Sequence, residues 1–171
     1  MTTPALTFVL FTPDNFETVR KTVAHVARDS RAGSIELLLG CTDPGLLALD
    51  GSAVAVFHST RVIRCDMSSG SGDGRALAIR EARAPVVAFG EDHCFPQPGW
   101  ASALLRSHEE PCAAVGPVVE NANPTGLVSW ADLLMGYGPW LAPGTSGERD
   151  HLPGHNSSYK RDILLSLGSD L

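Results

Sequence analysis

Apolar residues along this chain fall into two patterns, short unbroken runs and stripes at helical spacing. Leu6-Thr7-Phe8-Val9-Leu10-Phe11 is a run without helical period, the right length for a buried strand. Phe16, Val19, Val23 and Val26 then recur at helical spacing and predict one apolar face, with Asp14 as N-cap and Glu17 as its reciprocal partner. Ile35 to Leu39 predicts a second strand, and Val54 to Phe57 with Val62 to Cys65 an interrupted third. Ser68 to Gly74 reads as a loop by composition, and Arg75 to Arg83 as a helix ended by Pro85. Val86 to Phe89 is a further buried strand, and Pro96 and Pro98 forbid regular structure soon after it. Trp100 to Ser107 and Leu127 to Tyr137 predict helices, and Ala113 to Val119 a strand. A long Gly- and Pro-rich loop over 138–155 leads to a last helix ending near Leu167.

Strand and helix alternate through the first half, which predicts an α/β domain with a mostly parallel sheet and helices on both faces. Ligands of such sheets bind outside the carboxyl ends of the strands. The polar clusters after Phe11, Leu39 and Phe89 would all project there.

Composition narrows the partners. The chain has 171 residues, the size of one domain, and at 43% hydrophobic and 19% charged it can bury a core. A net charge of −6 with only 13 Lys plus Arg excludes a phosphate-gripping nucleic-acid binder. A small nucleotide stays compatible, because one cation and a few backbone N–H groups neutralise a diphosphate. No apolar run is long enough to span a membrane, and no basic segment precedes the first one, so a cytoplasmic protein is expected. Cys41, Cys65, Cys94 and Cys112 lack any C-x-x-C pair. They read as reduced buried thiols, with a zinc site as the alternative.

Three clusters carry candidate chemistry. Glu91-Asp92-His93 directly follows a buried strand, and carboxylate with imidazole is a donor set for a divalent cation that bridges two phosphates. The alternative is a solvated turn. Gly70-Ser71-Gly72-Asp73-Gly74 reads either as a phosphate cradle or as a flexible loop, and fits neither G-x-x-x-x-G-K-[ST] nor G-x-G-x-x-G. Arg75, next to it, pairs with a phosphate or simply opens a helix. His155 and Asn156 lie in a polar run at a loop–helix junction, as caps or as contacts to a sugar, a phosphate or the metal. His25, His58, His108 and His151 read as structural. No G-x-S-x-G elbow occurs, which disfavours a serine hydrolase. A nucleotidyltransferase needs a basic Gly-rich loop after the first strand, and Thr12-Pro13-Asp14-Asn15 lacks one.

Taken together these segments resemble a family 2 glycosyltransferase. Phe8 to Pro13 stands where that family has its first strand and Pro-containing turn. Arg75 to Trp100 resembles its helix, fourth strand, D-x-D motif and P-x-P-G-W segment, and Gly154 to Leu164 resembles its G-x-N-x-x-x-[KR]-[KR]-x-x-L segment. The resemblance implies the glycosyltransferase A fold, a nucleotide-diphospho-sugar donor, Mn²⁺ or Mg²⁺, and inverting transfer to a glycan or lipid-linked acceptor. A lipid-linked acceptor would place the protein at the membrane periphery. It implies donor contacts from Thr12, Pro13, Asp43, Arg75, Glu91 and Asp92, metal ligation by Asp92 and His93, and donor or acceptor contacts from His155 and Asn156. His93 departs from the acid usual at the last D-x-D position, and Cys41 and Thr42 occupy the acidic positions usual after the second strand. The family's general base lies in an acidic motif beyond the G-x-N segment, and this sequence reaches Leu171 soon after it. The expectation is a chain incomplete at its C-terminus, or a catalytically inactive binding or assembly module of the same fold.

Overall fold

The computed structural model describes residues 2–13, 15–66 and 71–171. The elements in chain order are β1 (Leu6–Phe11), α1 (Glu17–Ala27), β2 (Ile35–Cys41), α2 (Gly51–Val54), β3 (Ser59–Arg64), α3 (Ser71–Glu81), β4 (Val86–Phe89), α4 (Trp100–Ser107), β5 (Ala114–Val115), α5 (Leu127–Tyr137), β6 (Ser158–Lys160) and α6 (Arg161–Leu165). One six-stranded sheet runs in the order β3-β2-β1-β4-β6-β5. The first four strands are mutually parallel, and β6 runs antiparallel to both β4 and β5.

Alternation along the central strands splits the core into two layers. Leu6, Phe8, Leu10, Leu37, Leu39 and Ala88 face α1 and α4. Val9, Leu38, Val87 and Phe89 face α3 and α6 on the other side. A strand buried on both faces reads as an unbroken apolar run, which is why β1, β2 and β4 were legible. The α1 stripe is as expected, with Phe16, Val19, Val23 and Val26 all buried.

One polar pair sits inside the second layer. Glu36, fully buried, accepts from Thr7 Oγ1 at 2.7 Å and from the Arg83 backbone N–H at 2.9 Å, and meets Arg61 Nη1 at 3.2 Å. Arg61 in turn pairs with Glu81. A buried carboxylate is tolerated because each of these donors replaces water.

Several local expectations are corrected. Val54 to Phe57 is not strand. The Asp50 carboxylate accepts from the N–H groups of Ser52 and Ala53 and starts a helical turn instead. The helix expected from Arg75 starts at Ser71, so its first turn includes Gly72 and Gly74. Packing overrides the glycine propensity there, since a Cβ on Gly74 would lie 3.2 Å from the Phe11 ring. The strand expected over Ala113–Val119 joins the sheet at Ala114 and Val115; Gly116 and then Pro117, which has no N–H, break the ladder, and Val119 makes a separate bridge to Leu141. Strand β6 falls where the sequence predicts a loop leading into a helix. Asp14, the expected cap of α1, and Ser68 to Gly70 of the expected loop lie outside the described residues. Asn15 accepts from the Thr18 N–H at 3.0 Å at that helix start.

Candidate functional site

The site forms where β4 ends. Gly90 passes over Phe8 so closely that a Cβ would overlap the aromatic ring and stand 3.0 Å from Leu10. Only glycine fits, and the chain then turns out of the sheet at Glu91. Buried Thr22 on α1 fixes that turn, its hydroxyl lying 3.1, 2.9 and 3.2 Å from the carbonyl oxygens of Glu91, Asp92 and Cys94.

Antiparallel pairing delivers the second half of the site. Ala88 is opposite Ser158 and the Phe89 N–H donates to Ser157 O, so the residues just before β6 arrive beside the tip of β4. Asn156 Nδ2 lies 3.3 Å from Glu91 Oε2 and 2.9 Å from Cys94 Sγ, and His155 Nδ1 lies 3.1 Å from Glu91 Oε1. Asn156 has φ 59°, the left-handed region that asparagine tolerates better than other residues with a Cβ. From a third direction, Tyr137 at the end of α5 donates its hydroxyl to Glu91 Oε2 at 2.5 Å and accepts from Asn156 Nδ2 at 2.7 Å. Burial and then the Glu91 hydrogen bond push the Tyr137 phenol far above its ordinary range, so it stays a donor. Burial likewise pushes the Cys94 thiol up, against partial relief from Tyr137 and Asn156.

His93 Nδ1 meets Asp92 Oδ1 at 2.7 Å, and His93 Nε2 lies 3.4 Å from Glu91 Oε2. Donor atoms of Glu91, His93 and Cys94 all lie within 4.8 Å of one another. The metal pair expected from sequence was Asp92 and His93. Here the converging set contains His93 with Glu91 and Cys94, and Asp92 reaches it through His93. A carboxylate, an imidazole and a thiol suit a transition ion better than they suit Mg²⁺, which takes an all-oxygen octahedral shell.

These residues open into a cavity of about 890 Å³ whose wall includes Glu91, His93, Cys94, Tyr137, His155 and Asn156. A second cavity of about 720 Å³, lined by Arg83, His108 and Lys160 among others, contains none of the sequence-predicted residues.

The remaining predicted residues, Thr12, Pro13, Asp43 and Arg75, do not line this cavity. Thr12 is buried and its hydroxyl donates to Asn15 O at 2.6 Å, so it holds the turn that leaves Pro13 exposed. Asp43 accepts from the Gly45 N–H at 3.1 Å and pairs with Arg64 at 3.2 Å. The Arg75 guanidinium lies over the Phe89 ring, 5.4 Å from its centroid, and its buried Nε has no hydrogen-bond partner among the described residues. Cys41, where an acid was expected, is sealed in the core. Sequence reasoning missed Tyr137, Thr22 and the part played by Cys94. Nothing local marks the first two, since their role depends on contacts with distant segments.

The family model for glycosyl transferase family 2 matches residues 52–168. The chain belongs to that family. Among solved structures, the mannosyltransferase PcManGT from Pyrobaculum calidifontis, in complex with GDP-Man and Mn²⁺, superposes with a TM-score of 0.66 at 14% identity over 98% of this chain and 48% of that one. S. aureus TarS 1-349 gives 0.66 at 12% identity over 95% of this chain and 48% of that one. The same protein in complex with UDP-GlcNAc gives 0.61 at 12% identity, over 95% of this chain and 47% of that one. The glycosyltransferase A fold expected from sequence is therefore the fold of this domain. The chain spans about half the length of these structures. No curated protein sequence matches it. Among the described residues, no helix is long and apolar enough to cross a membrane.

Proposed function

We propose that this domain binds a nucleotide-diphospho-sugar at the carboxyl edge of its sheet, as part of an inverting, metal-dependent glycosyltransferase acting on a glycan or lipid-linked hydroxyl. The observation that carries this reading is the convergence of β4, α5 and the segment before β6 on Glu91, at the mouth of a cavity large enough for a sugar nucleotide. The two neighbours solved with a sugar nucleotide add support through the shared fold.

In this reading Pro13 and Asp43 border the nucleoside, and Arg75 pairs with a phosphate. Its Nε, unpartnered among the described residues, and its seat on the Phe89 ring leave it ready for an anion. Glu91 and His93 hold the cation, with Asp92 orienting the His93 ring. When bound, the cation supplies positive charge against the departing diphosphate. His155 and Asn156 stand between the cation site and the sugar. The acceptor oxygen attacks the anomeric carbon, the bond from that carbon to the diphosphate oxygen breaks, and the acceptor proton passes to a general base. The site belongs at the cytoplasmic side, peripheral to a membrane where the acceptor is lipid-linked.

Titration calorimetry with UDP and GDP, each with and without Mn²⁺, tests the reading. Binding of at least one nucleotide that requires Mn²⁺ is expected, and Arg75→Ala should weaken it. No heat with either nucleotide would overturn it.

A second reading is favoured by the burial of Cys41 where the family places an acid. A domain without that acid serves as a binding or assembly module without turnover. Donor hydrolysis, followed by release of the nucleoside diphosphate, separates the two.

A further inference from the structure

The tip of β4 carries a donor that a site for hard cations does not need. Cys94 Sγ lies 3.6 Å from Glu91 Oε2, and that same oxygen lies 3.4 Å from His93 Nε2. A tetrahedral ion with bonds of about 2.0–2.3 Å to oxygen, nitrogen and sulfur spans about 3.3–3.7 Å between neighbouring donor atoms. Two edges of the Glu91–His93–Cys94 triangle already have that length, and the three donor atoms lie within 4.8 Å of one another. An octahedral Mg²⁺ shell has bonds of about 2.0–2.1 Å, hence shorter edges, and takes oxygen donors only.

The surroundings suit a metal-bound thiolate. Asn156 Nδ2 points at the sulfur from 2.9 Å, supplying an N–H to a negative Sγ. Tyr137 and His155 contact the two Glu91 oxygens and would orient that carboxylate as outer-sphere partners do. The three ligands face the cavity, which leaves a fourth position open toward a bound molecule.

We propose that Cys94 joins Glu91 and His93 in a three-ligand site that selects a tetrahedral, thiolate-accepting ion, Zn²⁺ or Co²⁺, over Mn²⁺ and excludes Mg²⁺. The inference deepens the donor-site reading above and rests on it for the purpose of the ion. On binding, the Cys94 S–H proton leaves to solvent, a sulfur–metal bond forms, and no oxidation state changes.

The test is a Co²⁺ titration of the whole chain without nucleotide, followed by absorbance. A near-ultraviolet thiolate-to-cobalt band is expected in the wild type and in Cys112→Ser, and is expected to vanish in Cys94→Ser. His93→Ala, at a mostly exposed position, should weaken Co²⁺ and Zn²⁺ binding by roughly tenfold or more without unfolding the chain. Zn²⁺ affinity should fall similarly in Cys94→Ser while Mn²⁺ affinity stays level. Absence of the band in the wild type, or its survival in Cys94→Ser, overturns the proposal. Mn²⁺-dependent UDP binding without the band would overturn it and leave the donor site standing. The band without any nucleotide binding would support it and sink the donor-site reading.

Discussion

Tyr137 and Glu91, 46 residues apart in sequence, share a hydrogen bond of 2.5 Å. That bond ties the end of α5 to the tip of β4 and sets the direction of the carboxylate. His155 and Asn156 hold the same carboxylate alongside it, at 3.1 and 3.3 Å.

Tyr137→Phe removes one donor from the Glu91 carboxylate, and a hydrogen bond of that kind is worth roughly 1.5–3 kcal/mol. Nucleotide affinity in the presence of the metal is expected to fall about tenfold or somewhat more, measured by calorimetry. The urea midpoint should move only slightly, because Asn156 still reaches the same oxygen.

Gly90→Ala forces a methyl group into the Phe8 ring and against Leu10. Overpacking of this kind costs about 1–3 kcal/mol. Both the thermal midpoint and metal binding should drop together, since the residue displaced is the one that launches Glu91. Circular dichroism melting and metal titration of the same sample check the coupling.

Glu36→Ala leaves the Arg83 N–H and one arm of Arg61 without their buried acceptor. Breaking such a cluster from one side costs about 3–5 kcal/mol. Urea denaturation should show that loss, while Glu36→Gln, which keeps the shape and one acceptor, should lose less.

His108 gives the domain a pH dependence of known sign. Its ring is buried against Ser158 Oγ at 2.8 Å, and burial first, then the Lys160 charge, hold its pKa below the ordinary value. The unfolded chain therefore takes up a proton that the folded one resists, and stability rises with pH. The contribution is complete above about pH 6.5 and is lost as the pH falls toward the depressed folded value. Urea midpoints between about pH 7.5 and about pH 5 should fall less steeply in His108→Gln than in the wild type.

The order of the first strands and helices follows from the sequence alone. Leu6–Phe11, Ile35–Cys41 and Val86–Phe89 are buried on both faces because helices cover both sides, and such near-continuous apolar runs advertise themselves. The candidate acids at Glu91 and Asp92 were equally visible, since they follow directly on one of those runs. What the sequence did not disclose depends on pairings between distant segments. Ser158–Lys160 is too short to read as a strand, yet its antiparallel register against β4 is what carries His155 and Asn156 to Glu91. Cys94 reads as one more apolar thiol until Asn156 and Tyr137 close around it. Local pattern determined which residues would be buried and which strand would end in acid. Which side chains meet at that end was decided only by tertiary structure, because a contact across 46 or 65 residues leaves no periodic trace in either segment.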